Sequence, residues 1–451
     1  MTVIWAEQAL LPDGWAAGVV VRLDGARIAS VAPGPAPAGA HRVGMLLPAP
    51  VNLHSHGFQR AMAGLTERRG PDPRDSFWTW RRQMYDYLDR MTPEDVQAIS
   101  AYAFLEMAEA GYAAVAEFHY LHHGQGGVPY ADLAEMSGRI VAAAGSVGIG
   151  LALLPVLYSQ GGCDGRALVR GQDRFGNDLD RFARLLDGAG RHLAEMADAT
   201  LGVAPHSLRA VTPDALRQVA GLRPGAPIHM HLAEQRAEVD EVLAHLGARP
   251  VAWLLANMPV DARWCLIHCT QMERAETLAL AATGAVAGLC PITESSLGDG
   301  IFDGVAYAAA GGVWGVGSDS NIRIALAEEL RTLDYSQRLR DHSRAALAQG
   351  DRSTGRVLVQ AAVAGGAQAA GRDSGAIAAG RLADLVAIDT TDPDMHGRQG
   401  DTALDTWIFA RDDRLVRHLW SAGRHLVQDG HHPARPAIAR AYTATLARLR
   451  G

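Results

Sequence analysis

Short apolar runs alternate with longer amphipathic stretches over most of the chain. Eight such runs predict β-strands, at residues 46–53, 113–119, 149–157, 201–206, 227–232, 264–269, 285–290 and 313–318. The stretches between them show the helical period of about 3.6 residues, for example at 93–110, 131–146, 178–198, 236–246 and 324–340. Eight strand–helix units predict an α/β fold, a parallel (β/α)8 TIM barrel. The alternative, a doubly wound open sheet, needs fewer strands and a crevice where the strand order reverses.

The two ends of the chain follow a different pattern. Residues 17–31 form two apolar runs around Asp24-Gly25, a dipeptide typical of a tight hairpin turn. Residues 375–389 and 415–427 predict further β-segments, and residues 434–450 predict a closing helix. We therefore predict a small β-sandwich built from both ends of the chain. Its N-terminal part is 1–48, the barrel is 49–370, and its C-terminal part with the closing helix is 371–451.

Polar side chains stand at the ends of several predicted barrel strands. They are His54 and His56, His119 and Tyr120, His206, His231, His268 and Asp319. The active sites of (β/α)8 barrels lie at the C-terminal ends of the strands. Histidines scattered through a core would not gather at strand ends, so the pattern predicts one shared site.

The segment Asn52-Leu53-His54-Ser55-His56 is the centre of this predicted site. Alternate residues of a strand share a face, so both imidazoles can reach one metal ion. His231 is expected to join them because it lies nearer the end of its strand than His229, which is expected to pack inside the barrel. Asp319 offers a carboxylate ligand, although Gly317-Ser318-Asp319 alone could equally cap a helix.

Two residues near these ligands have the chemistry to transfer protons. Glu234 can serve a metal-bound water, since a partly dry site raises the pKa of a carboxyl group. Its alternative role is a favourable charge at a helix N-terminus. His268 is expected to act on the nucleophilic water, whereas a lone histidine at that place would be structural. Asp319 could also accept a proton from the attacking water.

The absence of lysine narrows the chemistry, because all 42 basic residues counted as Lys or Arg are arginine. A Schiff base, a pyridoxal-phosphate anchor, a P-loop lysine and a carboxylated lysine bridging two metals are excluded. Imidazole ligands with one carboxylate suit Zn²⁺, and also Fe²⁺, and the ion lowers the pKa of bound water from ~15.7 toward ~7. One divalent metal per chain is favoured, although His206 could contribute to a second site.

Composition limits the partners and the compartment. The net charge of −7 gives no general attraction to nucleic acid or to an anionic membrane. No apolar run reaches the ~18 residues of a membrane span, and the N-terminus lacks a signal-peptide pattern, so we expect a cytoplasmic protein. Its four cysteines form neither Cys-x-x-Cys pairs nor a disulfide framework, and Cys265 and Cys269 are expected to be buried apolar residues.

Together these residues resemble the metal-dependent amidohydrolase superfamily over nearly the whole chain. Longer strings are similar to the formimidoylglutamate deiminase family: Asn52-Leu-His-Ser-His-Gly-Phe-Gln-Arg-Ala-Met-Ala-Gly64, Asp75-Ser-Phe-Trp-Thr-Trp-Arg81, Ala116-Glu-Phe-His-Tyr120, Ala204-Pro-His-Ser-Leu-Arg209 and Leu297-Gly-Asp-Gly-Ile-Phe302. The family commonly has Asn where Ser296 stands and His where Asn321 stands. Neither is a predicted metal ligand, so these departures concern loop contacts and leave the reaction class unchanged.

The resemblance implies hydrolysis of N-formimidoyl-L-glutamate to N-formyl-L-glutamate and ammonia, in histidine degradation, by a homodimer. It implies catalytic roles for Glu234, His268 and Asp319, and metal ligation by His54, His56, His231 and Asp319. Substrate binding falls to Gln59, Arg81, Tyr120, His206 and Arg209. The planar guanidinium suits a substrate with two carboxylates. Beside Trp78 and Trp80, however, Arg81 alone would be interpreted as a stacked surface arginine.

Two other functions fit parts of the pattern. A deaminase of a nucleobase or related ring would use the same scaffold with a flat pocket and amide contacts, without a pair of carboxylate-binding arginines. A non-catalytic protein could have kept the fold, but the complete ligand set and Glu234 argue against it.

Overall fold

The computed structural model describes residues 2–67, 77–169 and 171–450, and for residues 77–79 and 81–83 only the helical backbone. The strands in this part of the chain are β1 (Thr2–Leu11), β2 (Gly14–Asp24), β3 (Arg27–Pro33), β4 (His41–Pro48), β5 (Val51–Ser55), β6 (Ala114–His119), β7 (Gly150–Leu157), β8 (Thr200–Leu201), β9 (Ala204–Pro205), β10 (Ile228–Leu232), β11 (Trp264–His268), β12 (Val286–Leu289), β13 (Val313–Val316), β14 (Leu385–Ile388), β15 (Val416–Ser421) and β16 (Arg424–Val427).

The helices of the same residues are α1 (Phe77–Leu88), α2 (Pro93–Ala110), α3 (Glu135–Val147), α4 (Leu179–Leu193), α5 (Pro213–Gly221), α6 (Arg236–Leu246), α7 (Pro250–Asn257), α8 (Arg274–Ala281), α9 (Pro291–Leu297), α10 (Gly304–Ala309), α11 (Leu326–Asp341), α12 (Thr354–Ala369), α13 (Asp401–Asp405) and α14 (Arg435–Arg450). All five predicted inner helices begin or end within a few residues of their predicted bounds, and α2 and α6 match 93–110 and 236–246. None of the described helices combines the length and the apolar composition that a membrane crossing requires.

The predicted (β/α)8 barrel is confirmed. One run of parallel strands pairs in the order β5-β6-β7-β8, with β9 also on β7, and a second pairs in the order β10-β11-β12-β13. Parallel bridges between Val203 and Ile228 and between Ser55 and Asp319 join the two runs at both edges. The interrupted pair β8 and β9 supplies barrel strand four, so eight strand positions close the ring.

Barrel strand one is shorter than predicted. The run 46–53 divides at Pro48-Ala49-Pro50: residues up to Pro48 belong to β4 of a separate sheet, and the barrel strand is β5. Proline has no N–H to give to a strand ladder, so two prolines in three residues end one sheet and let the chain enter the next. His54 still lies at the end of the barrel strand, and His56 directly follows it.

Segments from both ends of the chain pair as predicted. They form one seven-stranded sheet in the order β16-β15-β14-β4-β1-β2-β3, including β1, which the sequence pattern did not single out. Successive residues of a strand point to opposite faces. Leu46, Leu385 and Ala387 join a separate core enclosed by this sheet, whereas Leu47 and Val386 join the main core shared with the barrel. The domain bounds, with 1–48 and 371–451 as the two parts of the sandwich and 49–370 as the barrel, stay a prediction.

Candidate metal centre and active-site pocket

Five predicted residues meet at the C-terminal mouth of the barrel. The Nε2 atoms of His54 and His231 lie 3.1 Å apart. Asp319 Oδ1 lies 3.4 Å from His54 Nε2 and 3.2 Å from His56 Nε2. One donor atom from each of His54, His231, His268 and Asp319 falls within 4.8 Å of the other three. These five of the strand-end groups predicted from the sequence therefore meet in one buried site.

The charges of these groups suit a divalent cation. Burial lowers the pKa of His54 to about 3 and holds the pKa of His231 well below its ordinary value, so both rings are neutral. Burial would raise the pKa of Asp319, but hydrogen bonds to His54 and His56 hold it well below the ordinary value. Donors about 2.1 Å from one ion stand about 3.0–3.5 Å apart. The observed donor set and spacing fit one divalent metal ion.

Closure of the barrel places Asp319. Its amide donates to the His54 carbonyl oxygen and its carbonyl accepts from the His56 amide, both at 2.9 Å. Asp319 holds a φ of 47°, a left-handed backbone conformation that is unfavourable for a residue other than glycine. Gly317, two residues earlier, allows this approach, because a Cβ atom there would lie 2.6 Å from the His54 amide nitrogen. The hydrogen bonds that complete the barrel thus also fix this carboxylate.

Hydrogen bonds to the Nδ1 atoms set the orientation of two rings. His56 Nδ1 lies 3.0 Å from the Phe118 carbonyl oxygen, which turns its Nε2 toward the centre. His268 Nδ1 lies 3.2 Å from Glu294 Oε1, which leaves its Nε2 3.9 Å from both Glu234 and Asp319. Burial opposes a charge on His268, but the charges of Glu234, Glu294 and Asp319 raise its pKa to about 10. His268 is therefore held among carboxylates as a hydrogen-bond donor.

Glu234 is buried on a tightly held loop just beyond β10. The backbone amides of Ala233 and Glu234 donate to the two carboxylate oxygens of Glu238 at 3.2 and 3.0 Å. The Thr270 hydroxyl donates to the Glu234 carbonyl oxygen at 2.7 Å. Burial raises the pKa of Glu234. A carboxyl group with a raised pKa in a fixed position can take up and release a proton near neutral pH.

Several buried acids around the centre were missed by the sequence analysis. Glu294 orients His268, Glu238 holds the Glu234 loop, and Glu117 accepts from the Gly57 amide at 2.6 Å, with a pKa that burial raises to about 7. Asp299 is also buried, on the loop after α9. A glutamate in the helix that follows a strand, six residues after β10 for Glu238 and five after β12 for Glu294, was a weak local signal. The convergence of these acids is visible only in three dimensions.

Asn321, one of the two departures from the family pattern, links strands eight and one. Its side-chain amide donates to the Ser55 hydroxyl and the His56 carbonyl oxygen, both at 3.1 Å, and its Oδ1 accepts from Ser318 at 2.6 Å. Ser296, the other departure, lies exposed on α9. Asn321 thus holds the backbone that carries His56, and Ser296 stands at the surface.

The predicted substrate residues largely line one pocket above the centre. Gln59, Tyr120, His206 and Arg209 are among its lining residues. Gln59 Nε2 donates to the Tyr120 hydroxyl at 2.6 Å. Arg209 is buried, and the charges of nearby Glu238, Tyr158 and Glu234 raise its pKa against the effect of burial. The Arg81 backbone lies in α1, but its side chain falls outside the described residues, so its role stays a prediction.

Further aromatic and apolar side chains complete the wall of this pocket. They are Trp80, Met84, Tyr85, Tyr158, Phe175 and Leu297. The sequence analysis did not assign them, because they come from four separate segments between the barrel strands. A cavity with apolar walls, a buried arginine and a cluster of metal-type donors at its base is suited to a small polar substrate.

Three other histidines stand apart from the metal-type group. His229 Nε2 lies 2.7 Å from the Ala369 carbonyl oxygen, inside the barrel as predicted. His206 lines the pocket beside His231, with ring centroids 4.9 Å apart, but it does not belong to the donor group. His119 is buried and is not among the pocket-lining residues. At the end of the second barrel strand, Tyr120 faces the pocket instead.

Two family models match the chain. Residues 45–426 match the amidohydrolase family, and residues 1–45 match the formimidoylglutamate deiminase HutF, N-terminal domain. The formimidoylglutamate deiminase of Pseudomonas aeruginosa is 48% identical over 100% of both chains. The crystal structure of an amidohydrolase from Brucella melitensis is also 48% identical, covers 100% of both chains and has a TM-score of 0.97. An 8-oxoguanine deaminase of Pseudomonas aeruginosa is 29% identical and covers 76% of this chain and 73% of its own.

Proposed function

The chain belongs to the amidohydrolase family and, within it, to the formimidoylglutamate deiminases, and on this premise we propose that it hydrolyses N-formimidoyl-L-glutamate to N-formyl-L-glutamate and ammonia in histidine degradation. The observation that carries the proposal is the pairing of two features in one pocket. A buried His/His/His/Asp donor group forms its base, and the buried Arg209 stands in its wall. The resemblance further supports a homodimer in the cytoplasm.

We assign the metal to His54, His56, His231 and Asp319, with His268 beside it. Neutral imidazoles with an ionised carboxylate favour Zn²⁺, with Fe²⁺ as the alternative. A divalent ion held there supplies Lewis acidity and lowers the pKa of a water molecule toward neutrality.

Glu234 carries the proton transfers of the reaction. Water adds to the formimidoyl carbon, Glu234 takes a proton from it, and the same carboxyl group passes a proton to the imino nitrogen. The hydroxyl group on the carbon then gives up its remaining proton, which Asp319 helps to pass to the amino nitrogen. As the carbon–nitrogen bond breaks, the nitrogen leaves as ammonia and the carbon keeps the oxygen as a formyl group. His268 and Asp319 flank this path. His268 Nε2 lies 3.9 Å from Glu234 Oε1 and 3.9 Å from Asp319 Oδ2.

Arg209 is assigned to a substrate carboxylate. The net charge of −7 disfavours an acidic substrate at long range, so a fixed cation in the pocket must hold it. The Gln59–Tyr120 pair offers polar groups on another side of the same pocket. Arg81 is proposed for the second carboxylate on the strength of the family resemblance.

Ammonia release tests the proposal directly. The purified protein is assayed with N-formimidoyl-L-glutamate, N-formimidoyl-L-aspartate and guanine, before and after chelation and after return of Zn²⁺. We expect release from N-formimidoyl-L-glutamate far above the other two, lost on chelation and restored by the metal. Faster release from guanine would move the chain to the ring deaminases, and inertness of the metal-loaded protein toward all three would favour a non-catalytic role.

A further inference from the structure

The Leu297-Gly298-Asp299-Gly300 segment, part of a string that resembles the family, gives Leu297 to the pocket wall but none of the residues assigned to the reaction. It follows α9, and Gly298 and Gly300 hold φ values of 73° and 119°, which favour glycine. This turn carries Asp299 inward, where the residue is 1% exposed. A fully buried acid on a pocket loop requires an explanation.

Asp299 is tied to the loop that carries Glu234. Its Oδ1 accepts a hydrogen bond from the side chain of Gln235, the residue next to Glu234, and its backbone carbonyl accepts from the side chain of Gln271. The Gln271 amide in turn donates to the Ala233 carbonyl oxygen at 2.9 Å. Asp299 therefore meets both sides of the 233–235 segment through two glutamine side chains.

This contact completes a frame around Glu234. Glu238 accepts hydrogen bonds from the backbone amides of Ala233 and Glu234, and the Thr270 hydroxyl donates to the carbonyl oxygens of the same two residues. Asp299 accepts a hydrogen bond from the side chain of Gln235, the next residue. Ala233 within it adopts a φ of 51°, an unfavourable conformation that persists only where the surroundings impose it. Removing one support should let the segment relax and displace the Glu234 carboxyl group.

The second oxygen of Asp299 gives the acid an electrostatic role as well. Oδ2 is fully buried and has no hydrogen-bond partner among the described residues. The charged groups that face Asp299 are Glu234, Glu294 and Asp319, with His268 as the cation. Burial and the charge of Glu234 raise the pKa of Asp299 to about 9. Two neighbouring buried carboxyl groups do not both ionise at neutral pH.

We propose that Asp299 is a positioning residue for Glu234: through Gln235 it fixes the loop that carries the proton-transferring carboxyl group. This inference rests on the proposed function, because its first readout is ammonia release from N-formimidoyl-L-glutamate. Asp299 does not line the pocket, so it acts on the reaction through Glu234 and not by binding substrate.

Four substitutions test the proposal in the metal-loaded enzyme. Asp299→Ala removes the buried carboxyl group and with it the hydrogen-bond acceptor for Gln235. Asp299→Asn keeps an acceptor for Gln235 on an uncharged side chain. Gln235→Met removes the donor of the same hydrogen bond. The matched control is Asp303→Asn, four residues further on, at the N-terminus of α10, where the carboxylate pairs with Arg274 and Arg340. All variants are compared by kcat, KM, the pH profile of kcat/KM and metal content.

We expect Asp299→Ala to lower kcat by about 100-fold with KM within about threefold, as for loss of a positioned acid or base. Gln235→Met should lower kcat by about tenfold. Asp299→Asn should restore kcat to within about threefold of the wild type, and the loss of activity above about pH 9 should weaken. Asp303→Asn should leave kcat, KM and the pH profile unchanged.

Three results would overturn the proposal. If Asp299→Ala kept the wild-type kcat and KM, Asp299 would have no role in positioning Glu234. If it raised KM and left kcat unchanged, Asp299 would act in substrate binding. An Asn variant as impaired as the Ala variant, with a wild-type pH profile, would make the residue merely structural. If Asp299→Ala does not fold, the Asn and Gln235→Met variants decide. If the wild-type enzyme itself releases no ammonia, the proposed function fails and not this inference alone.

Discussion

The molecule buries clusters of charge at both ends of the barrel, and the two clusters are built differently. At the N-terminal end, Arg372 donates to Asp384 at 2.6 and 2.9 Å and to the Asp198 carboxylate at 2.9 Å, and Arg424 donates to Asp198 at 2.7 and 3.0 Å. Two arginines thus balance two aspartates, and the pairs join the barrel to the seven-stranded sheet.

The C-terminal cluster leaves its charges unbalanced. Glu234, Glu294, Asp299 and Asp319 are all buried, with His268 and Arg209 as the nearby cations. Burial and mutual repulsion raise the pKa values of Glu234 and Asp299, whereas at the other end the two arginines lower the pKa of Asp198. Buried ion pairs whose charges balance are structural, whereas a cluster of buried acids with displaced pKa values marks a candidate functional site.

Loss of one metal-type donor should give the largest effect. We expect His231→Ala to lower kcat/KM by at least about 10³-fold and to lose the bound metal, because His231 is one of the four proposed ligands and belongs to the clustered donor group. His229→Ala is the matched control, two residues earlier on the same strand, and should keep the metal. Metal analysis and ammonia release measure both. A fully metal-loaded, active His231→Ala protein would contradict the assignment.

Breaking the balanced cluster should affect stability and not the reaction. Arg372→Met leaves Asp198 and Asp384 buried with fewer partners, and removal of one member of a buried ion pair costs about 3–5 kcal/mol. Urea unfolding should show this loss, while kcat and KM of the folded enzyme stay within about twofold. Arg381→Met, which removes an exposed pair with Asp373, should cost less than about 1 kcal/mol. Equal stability of the two variants would show that the buried cluster is not structural.

Arg209→Ala should impair substrate binding more than turnover. A charge-assisted hydrogen bond contributes about 1.5–3 kcal/mol, so KM for N-formimidoyl-L-glutamate should rise roughly 10- to 100-fold. Arg217→Ala, at an exposed arginine on α5, serves as the control and should leave KM unchanged. Steady-state kinetics decide the matter, and an unchanged KM in Arg209→Ala would remove this residue from the carboxylate site.

The pH dependence of stability should have opposite signs at the two clusters. The lowered pKa of Asp198 stabilises the folded state above its ordinary value of 3.8, and this stabilisation is lost as the pH falls through the lower folded-state pKa. The raised pKa of Asp299 means that the folded state keeps a proton the unfolded chain has lost, so stability declines as the pH rises from about 4 to about 9.

Urea unfolding of the wild type, Asp198→Asn and Asp299→Asn across pH 3–9 tests these signs. Asp198→Asn should reduce the slope of the free energy of unfolding against pH at acid pH, and Asp299→Asn should reduce it at higher pH. Each slope should change by at most about 1.4 kcal/mol per pH unit. Identical slopes in all three proteins would mean that neither carboxyl group titrates differently in the folded and unfolded states.

Much of the fold was accessible from local patterns. The alternation of apolar strands and amphipathic helices predicted the barrel. Asp24-Gly25 marked a hairpin that the structure contains, and the predicted β-segment at 415–427 holds β15 and β16. The run 46–53 was misjudged, because apolar character alone does not show that Pro48 and Pro50 divide it between two sheets. The pairing of β1 and β4 was also invisible, since strands distant in sequence choose partners through the packing of their faces.

The sequence by itself determined which donors stand at the strand ends, since the alternation of side chains and the ends of apolar runs are local properties. It therefore placed His54, His56, His231, His268 and Asp319 in one predicted site. Only the tertiary structure decided that Glu294 orients His268 and that Asp299 is buried beside the Glu234 loop. Desolvation and the interaction between charges depend on distances through space, and residues on separate loops acquire those distances only when the barrel closes.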